Sequence, residues 1–134
     1  MAKSSISEEK WRSLKIRLRR SKVRAAFTLG ESERAYIHDR TLSLVESHAR
    51  DFVMQRLAPA QPRNEGKQTP MKGHPVFLAQ HATATCCRAC LEKVHGIKAG
   101  KVLTARQVDF VQEVIMRWLT DEMASETPPV PEDS

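Results

Sequence analysis

The sequence predicts a mostly α-helical protein, a compact bundle of four to five helices. Glycine is scarce, with 5 residues in 134, and aromatic residues make up 5%, a composition that disfavours an all-β sandwich or barrel with many turns. Apolar residues recur three or four positions apart over long stretches, which is the period of a helix with one buried face. A chain of this length buries about two-thirds of the surface that its unfolded form exposes, which is enough for a core without disulfides.

The first helix is predicted to begin at Ser5, because Glu8 stands three residues later and the two side chains can form a capping box. Gly30 interrupts the helical pattern. The apolar face of this helix is formed by Trp11, Leu14 and Leu18. Lysine and arginine occupy the other faces, so the helix is amphipathic and strongly basic.

A long second helix is predicted from about Ser32 to Leu57, and Pro59 ends it because proline cannot continue a helix. Its apolar stripe is formed by Ile37, Leu44, Val45, Phe52, Val53 and Leu57. Two histidines within this helix, His38 and His48, are predicted to be structural or exposed.

The middle of the chain is predicted to be a connection followed by a short helix. Residues 58–73 are rich in proline, glycine and polar residues, and a connection of this length is either functional or disordered. Its position directly before the cysteines favours a function. The apolar run over residues 75–79 fits either a small β element or one to two helical turns. Thr85 is a suitable N-cap for a helix over about residues 86–94, which Gly96 ends.

A last helix is predicted from the capping box of Thr104 and Gln107 to about Met123. Its apolar face is formed by Val108, Val111, Ile115, Trp118 and Leu119. Residues 125–134 are rich in prolines and acids and are predicted to be a disordered tail. The helical part is therefore expected to be a single domain over residues 1–124.

All the cysteines and most of the histidines lie in the segment over residues 74–95. Thiolates and imidazoles suit a transition metal, and two of each around a tetrahedral ion make a standard zinc site. If residues 86–94 are helical, Cys90 lies four positions after Cys86 and three after Cys87, so it shares a helix face with each of them. We therefore predict a metal site, with zinc as the expected ion. Its ligands are expected among His81, Cys86, Cys87, Cys90 and His95.

Two other interpretations of the cysteines stay open. Free cysteines behave as small apolar side chains, so they can simply fill a core. Alternatively, Cys86 or Cys87 lies in the first turn of a helix and becomes a reactive thiolate, helped by the helix dipole and by Arg88. The protein would then be an enzyme that uses this thiolate, or a metal-bound water, in a pocket closed by residues 58–73.

The charge distribution is compatible with an anionic partner. The formal net charge is +6, and a dense basic stretch closes the first helix. This stretch contains Arg17, Arg19, Arg20, Lys22 and Arg24. Such cations neutralise phosphates, so nucleic acid is the partner expected under this interpretation. The same charges equally fit a solvated face, or attraction to the acidic C-terminal part of the chain.

The cysteine count favours a reducing cytoplasm. Three is an odd number and two of the cysteines are adjacent, which is unlike the disulfide framework of a secreted protein. No stretch approaches the roughly 18 apolar residues of a membrane helix, and the first residues lack the apolar core of a signal peptide. We therefore expect a cytoplasmic protein without a membrane span.

The cysteine segment also carries a family resemblance. The run KQTPMKGHPVFLAQHATATCCRACLEKVH over residues 67–95, with RLAPA over 56–60 and VIMRW over 114–118, resembles the signature of a bacterial family of domains of unknown function, numbered four-one-eight-six. The resemblance covers about residues 20–120, and Val94 departs from the pattern, which has Trp there. It implies a compact bacterial intracellular protein, and it implies no activity.

Overall fold

The computed structural model describes residues 6–62 and 68–125, and within these ranges the chain is helical, with no β-strand. The mostly α-helical prediction is confirmed, and the alternative of a small β element near residues 75–79 is wrong because a helix lies there. The helices are α1 (Glu8–Arg19), α2 (Lys22–Ala25), α3 (Glu31–Phe52), α4 (Pro75–Ala82), α5 (Arg88–His95) and α6 (Ala105–Ala124), with a π-helical turn (Val53–Leu57) after α3.

Helix α1 begins later than the sequence predicts. Ser7 is its N-cap, and the Ser7 hydroxyl accepts a hydrogen bond from the backbone N–H of Lys10 at 3.1 Å. Ser5, the predicted cap, lies outside the described residues. The predicted apolar face is confirmed, because Trp11, Leu14 and Leu18 are all buried. They pack in a small core with Val114 of α6, so α1 lies against α6.

Helix α3 is capped by Gly30, whose N–H donates to the Glu33 carboxylate at 2.8 Å. The helix is not continuous, because Thr41 has a left-handed φ of 75° and ψ of 152°. The Thr41 hydroxyl accepts from the N–H of Leu44 at 3.4 Å, so it caps the second half of the helix. The predicted single helix therefore forms two segments and the π-helical turn, which ends at Leu57 as expected.

The main core lies between α3, α4 and α6. Its fully buried side chains include Val45, Leu57, Val76, Val111, Ile115 and Leu119. The capping box of Thr104 and Gln107 at the start of α6 is confirmed, with the Thr104 hydroxyl accepting from the Gln107 N–H at 3.1 Å. One member of the predicted α3 stripe is placed wrongly, because Leu44 is 43% exposed. The tail predicted over residues 125–134 lies beyond the described residues, apart from Ser125.

Among the described helices, none is both long enough and apolar enough to cross a membrane.

Substitutions at two leucines of the predicted α3 stripe separate buried from exposed positions. Leu57→Ala is expected to lower the free energy of unfolding by about 2–5 kcal/mol, because it leaves a cavity at a fully buried position. Leu44→Ala removes the same atoms from a half-exposed position and should change this free energy by about 0.5 kcal/mol or less. Urea denaturation measures both values, and equal losses would contradict the packing of α3.

Candidate metal centre

A tight turn between α4 and α5 delivers the first two cysteines. Ala84 in this turn is fully buried and has a left-handed φ of 60°, which costs a non-glycine residue about 1 kcal/mol or more. The turn is held by Gln80, whose carbonyl accepts from the Thr85 N–H at 2.8 Å and whose side-chain amide donates to the Thr85 carbonyl at 3.0 Å. The chain is thereby reversed just before Cys86.

Helix α5 begins two residues after the predicted start. The N-cap is Cys87 and not Thr85, because the Thr85 hydroxyl lies 3.0 Å from that of Thr83 and takes part in the turn. The Cys87 sulfur accepts from the N–H of Cys90 at 3.4 Å. Gly96 ends the helix with φ 71°, as predicted. Two cysteines therefore precede the helix and only Cys90 lies within it.

The structure brings all three sulfur atoms together. The Sγ atoms of Cys86, Cys87 and Cys90 lie within 4.8 Å of one another, and those of Cys86 and Cys90 are 3.8 Å apart. All three cysteines are free; Cys87 is buried and the other two are partly buried. An ion with four ligands at the zinc–sulfur distance of about 2.3 Å has its sulfurs about 3.8 Å apart. The three cysteines could therefore hold a metal ion together.

The three thiols differ in acidity. The pKa of Cys90 is lowered to about 5, chiefly because the Cys86 thiol donates a hydrogen bond to its sulfur, and Cys87 and the Arg24 guanidinium add to this effect. The pKa of Cys86 is raised, first by that same hydrogen bond and then by burial. The pKa of Cys87 is raised, first by burial. Cys90 is therefore the most acidic of the three thiols.

The two predicted histidine ligands lie outside this sulfur group. His95 Nε2 is 2.8 Å from the carbonyl oxygen of Thr83, and His81 Nε2 is 3.0 Å from that of Pro70. A carbonyl oxygen only accepts, so Nε2 is the hydrogen-bond donor of each ring, and Nδ1 is the atom that would bind a metal. Burial lowers the pKa of His95, which keeps this ring neutral. Ligation by either histidine stays a prediction.

Arg88 has a different place from the one that the sequence suggests. Its side chain is buried, with 5% exposed, and does not serve as a surface cation beside the thiols. Its guanidinium donates to four backbone carbonyl oxygens at 2.7–3.1 Å, those of Leu57, Pro59, Lys98 and Lys101. Burial lowers the pKa of Arg88. Arg88 is the first residue of α5, so its side chain joins the start of this helix to two separate connections.

The connection before α4 contacts the cysteine segment at its described end. The Thr69 hydroxyl donates to the carbonyl of Cys86 at 2.7 Å, and the Gln68 side chain accepts from the N–H of Arg88 at 3.3 Å. Residues 63–67 of this connection lie outside the described part. A catalytic thiol in a pocket under residues 58–73 stays a prediction, since the two cavities described below are lined by other parts of the chain.

The five basic residues predicted to bind nucleic acid are divided between two cavities and the exposed surface. Arg17 donates to the carbonyl of Val94 at 3.3 Å and lines a small cavity beside His95. Arg19 and Arg24 line a larger cavity on the other side of α1, while Arg20 and Lys22 are exposed at the junction of α1 and α2. A nucleic-acid partner stays a prediction.

Sequence reasoning missed the use of two histidines in a ring cluster. His74 is the N-cap of α4, and its Nδ1 accepts from the N–H of Val76 at 3.0 Å. Its Nε2 lies 3.2 Å from Nδ1 of His48, and its ring contacts those of Phe52 and Phe77. The pKa of His74 is lowered to about 4, first by burial and then by His48. A polar residue directly before Pro75 at the start of a helix was the available signal.

These features define a small helical protein with a preformed group of three free cysteines. The family model named Domain of unknown function (DUF4186) matches residues 12–120, so the chain belongs to this family. The resemblance seen in the sequence is thereby confirmed. No solved structure matches the chain.

Replacing Arg88 by lysine tests the importance of its carbonyl contacts. Lysine has three donors at a single point and cannot match the planar guanidinium, so Arg88→Lys is expected to lower the free energy of unfolding by about 2–4 kcal/mol. The exposed Arg106 gives the matched control, and Arg106→Lys should change this value by about 0.5 kcal/mol or less. Similar results for the two variants in chemical denaturation would contradict the role of Arg88.

His74 is expected to make stability depend on pH. Its pKa is about 4 in the folded protein and about 6.5 in the unfolded chain, so the unfolded chain binds more protons between these values. Stability should therefore fall as the pH drops from 6.5 to 4, by about 1–2 kcal/mol after allowance for solvent screening. His74→Asn keeps an N-capping side chain and should flatten this slope. The exposed His38, replaced by Asn, is the control. An unchanged slope in His74→Asn would contradict the assignment.

Proposed function

We propose that this protein binds one zinc ion through the thiolates of Cys86, Cys87 and Cys90. The distance of 3.8 Å between the sulfurs of Cys86 and Cys90 carries the proposal, because it equals the sulfur–sulfur distance expected for tetrahedral zinc. The third sulfur lies within 4.8 Å of both. Three thiolates are soft donors, and among common ions they favour zinc over magnesium or calcium.

The surroundings of the sulfurs support a bound cation with thiolate ligands. Three thiolates and a zinc ion carry a net charge of −1, which the protein must offset. The N–H of Cys90 donates to the sulfur of Cys87, and the positive charge of Arg24 favours the thiolate form of Cys90. Donors around the sulfurs are the usual support of a metal–thiolate site.

The fourth position of the ion is taken by His81, His95 or a water molecule. Both histidines keep Nδ1 for a metal while Nε2 is held by a carbonyl, which is the common arrangement of a ligating imidazole. A fourth protein ligand would make a closed, structural site, whereas water would leave an open position of the kind that catalytic zinc sites use. We propose a binding role in the cytoplasm, where free thiols persist.

Elemental analysis of protein purified without added metal tests the proposal. We expect about one equivalent of zinc per chain, with proton release on binding and weaker binding at lower pH. Cys90→Ser should weaken zinc binding by about tenfold or more, because it removes a ligand. The neighbouring Ala89 is exposed, so Ala89→Ser is a matched control that should bind zinc as the parent protein does. Less than about 0.1 equivalent of metal, with no uptake of added zinc or cobalt(II), would overturn the proposal.

Cobalt(II) substitution then identifies the ligands. A thiolate-to-cobalt absorption band is expected in the parent protein and in Ala89→Ser, with a smaller band in Cys90→Ser. His81→Ala and His95→Ala separate the possibilities for the fourth position. A shifted cobalt spectrum with weaker zinc binding in one of them identifies that histidine as the ligand. Parent-like spectra in both assign the fourth position to water.

A further inference from the structure

A second candidate site includes Arg24 and none of the cysteines. It is a cavity of about 540 Å³ between α1, α2 and the end of α6. Cavities of about 300–1,000 Å³ are the usual size of small-molecule sites. The walls combine three arginines, Arg12, Arg19 and Arg24, with three aromatic side chains, Trp11, Phe27 and Trp118.

The acidic residues of the cavity wall are already neutralised. Glu8 is paired with Arg117, which is not part of the wall. Asp121 accepts from the Lys15 ammonium at 2.9 Å and from the Trp11 indole N–H at 2.8 Å. Glu122, the third acid, accepts from the N–H of Leu29 at 3.2 Å and lies 3.8 Å from the Arg34 guanidinium. The carboxylates of the wall therefore do not neutralise its arginines.

Two arginines of the wall, Arg12 and Arg19, form no ion pair with an acid within residues 6–62 and 68–125. Both side chains are exposed, and Arg24, the third arginine of the wall, is partly buried. Because the acids opposite them are paired, the cavity has an excess of positive charge. A guanidinium group binds phosphate through two parallel hydrogen bonds. A cluster of arginines is therefore better suited to phosphate than a cluster of lysines, which act as point charges.

We propose that this cavity binds a nucleotide, with its phosphate at Arg12 and Arg19 and its base beside the aromatic side chains. Phe27 and Trp118 are both partly exposed, so each can offer ring surface to a planar base. A free phosphate would use only the arginines, and an uncharged aromatic molecule would use only the rings. A ligand that carries both parts uses the whole wall. The proposal does not rest on the zinc site.

Calorimetric titration with AMP, inorganic phosphate and adenosine tests the proposal on the full chain. We expect saturable binding of one AMP per chain and weaker binding of phosphate or adenosine alone. Arg19→Ala should weaken AMP binding about tenfold, since a hydrogen bond to a charged group is lost. The next residue, Arg20, is exposed and does not line the cavity, so Arg20→Ala is a matched control that should bind within about twofold of the parent protein.

Tryptophan fluorescence provides an independent measurement, because both tryptophans of the chain line this cavity. AMP should quench the emission with the same dissociation constant that calorimetry gives. Arg12→Ala should behave as Arg19→Ala does. Both arginines are exposed, so parent-like thermal unfolding is expected and keeps the comparison free of folding effects.

Four outcomes would overturn the proposal. The first is no saturable AMP binding at millimolar concentration. The second is adenosine binding as tightly as AMP, which would exclude the phosphate contact. The third is an equal loss in Arg19→Ala and Arg20→Ala, which would indicate a diffuse electrostatic effect. The fourth is an oligonucleotide that binds far more tightly than AMP and is weakened equally by both substitutions, which would indicate a nucleic-acid surface in place of a nucleotide cavity.

Discussion

The buried guanidinium of Arg88 is the contact on which the arrangement of the middle of the chain depends. It joins the first residue of α5 to carbonyls at the end of the π-helical turn and to carbonyls of the connection before α6. Backbone carbonyls of irregular segments are costly to bury without hydrogen-bond donors. Here one planar guanidinium donates to four such carbonyls. No carboxylate within the described ranges neutralises this charge by an ion pair, so the carbonyl dipoles carry the compensation.

The cysteine group is held mainly by the backbone around it. Ala84 reverses the chain, Gln80 closes that turn, and Thr69 holds the carbonyl of Cys86 from the preceding connection. Two hydrogen bonds within the group add to this, one from the Cys90 N–H to the Cys87 sulfur and one from the Cys86 thiol to the Cys90 sulfur. A site of this kind has its donors positioned before a ligand arrives, which reduces the ordering cost of binding.

Local signals in the sequence predicted most of the helices, and non-local contacts account for the errors. The capping box at Thr104 and the stop at Gly96 depend on neighbours within four residues, so a reader of the sequence can find them. The start of α5 was missed because the Thr85 hydroxyl is used in the turn before it. The shared site of the cysteines was predicted from helical spacing, but the turn before α5 brings Cys86 and Cys87 to Cys90, because these two residues precede the helix. The carbonyl contacts of Arg88, up to 31 residues away, leave no pattern in the sequence.

The use of the Cys87 sulfur as the cap of α5 ties the opening of this helix to the release of any ion held there. The Cys87 sulfur accepts a hydrogen bond from the N–H of Cys90, and a thiolate accepts such a bond better than a thiol does. An ion that keeps Cys87 deprotonated would therefore also strengthen the first turn of α5. Conversely, fraying of that turn withdraws Cys90 and weakens the acceptor at the same time. The lifetime of a bound ion would then follow the local opening rate of one helical turn, which amide hydrogen exchange at the start of α5 reports.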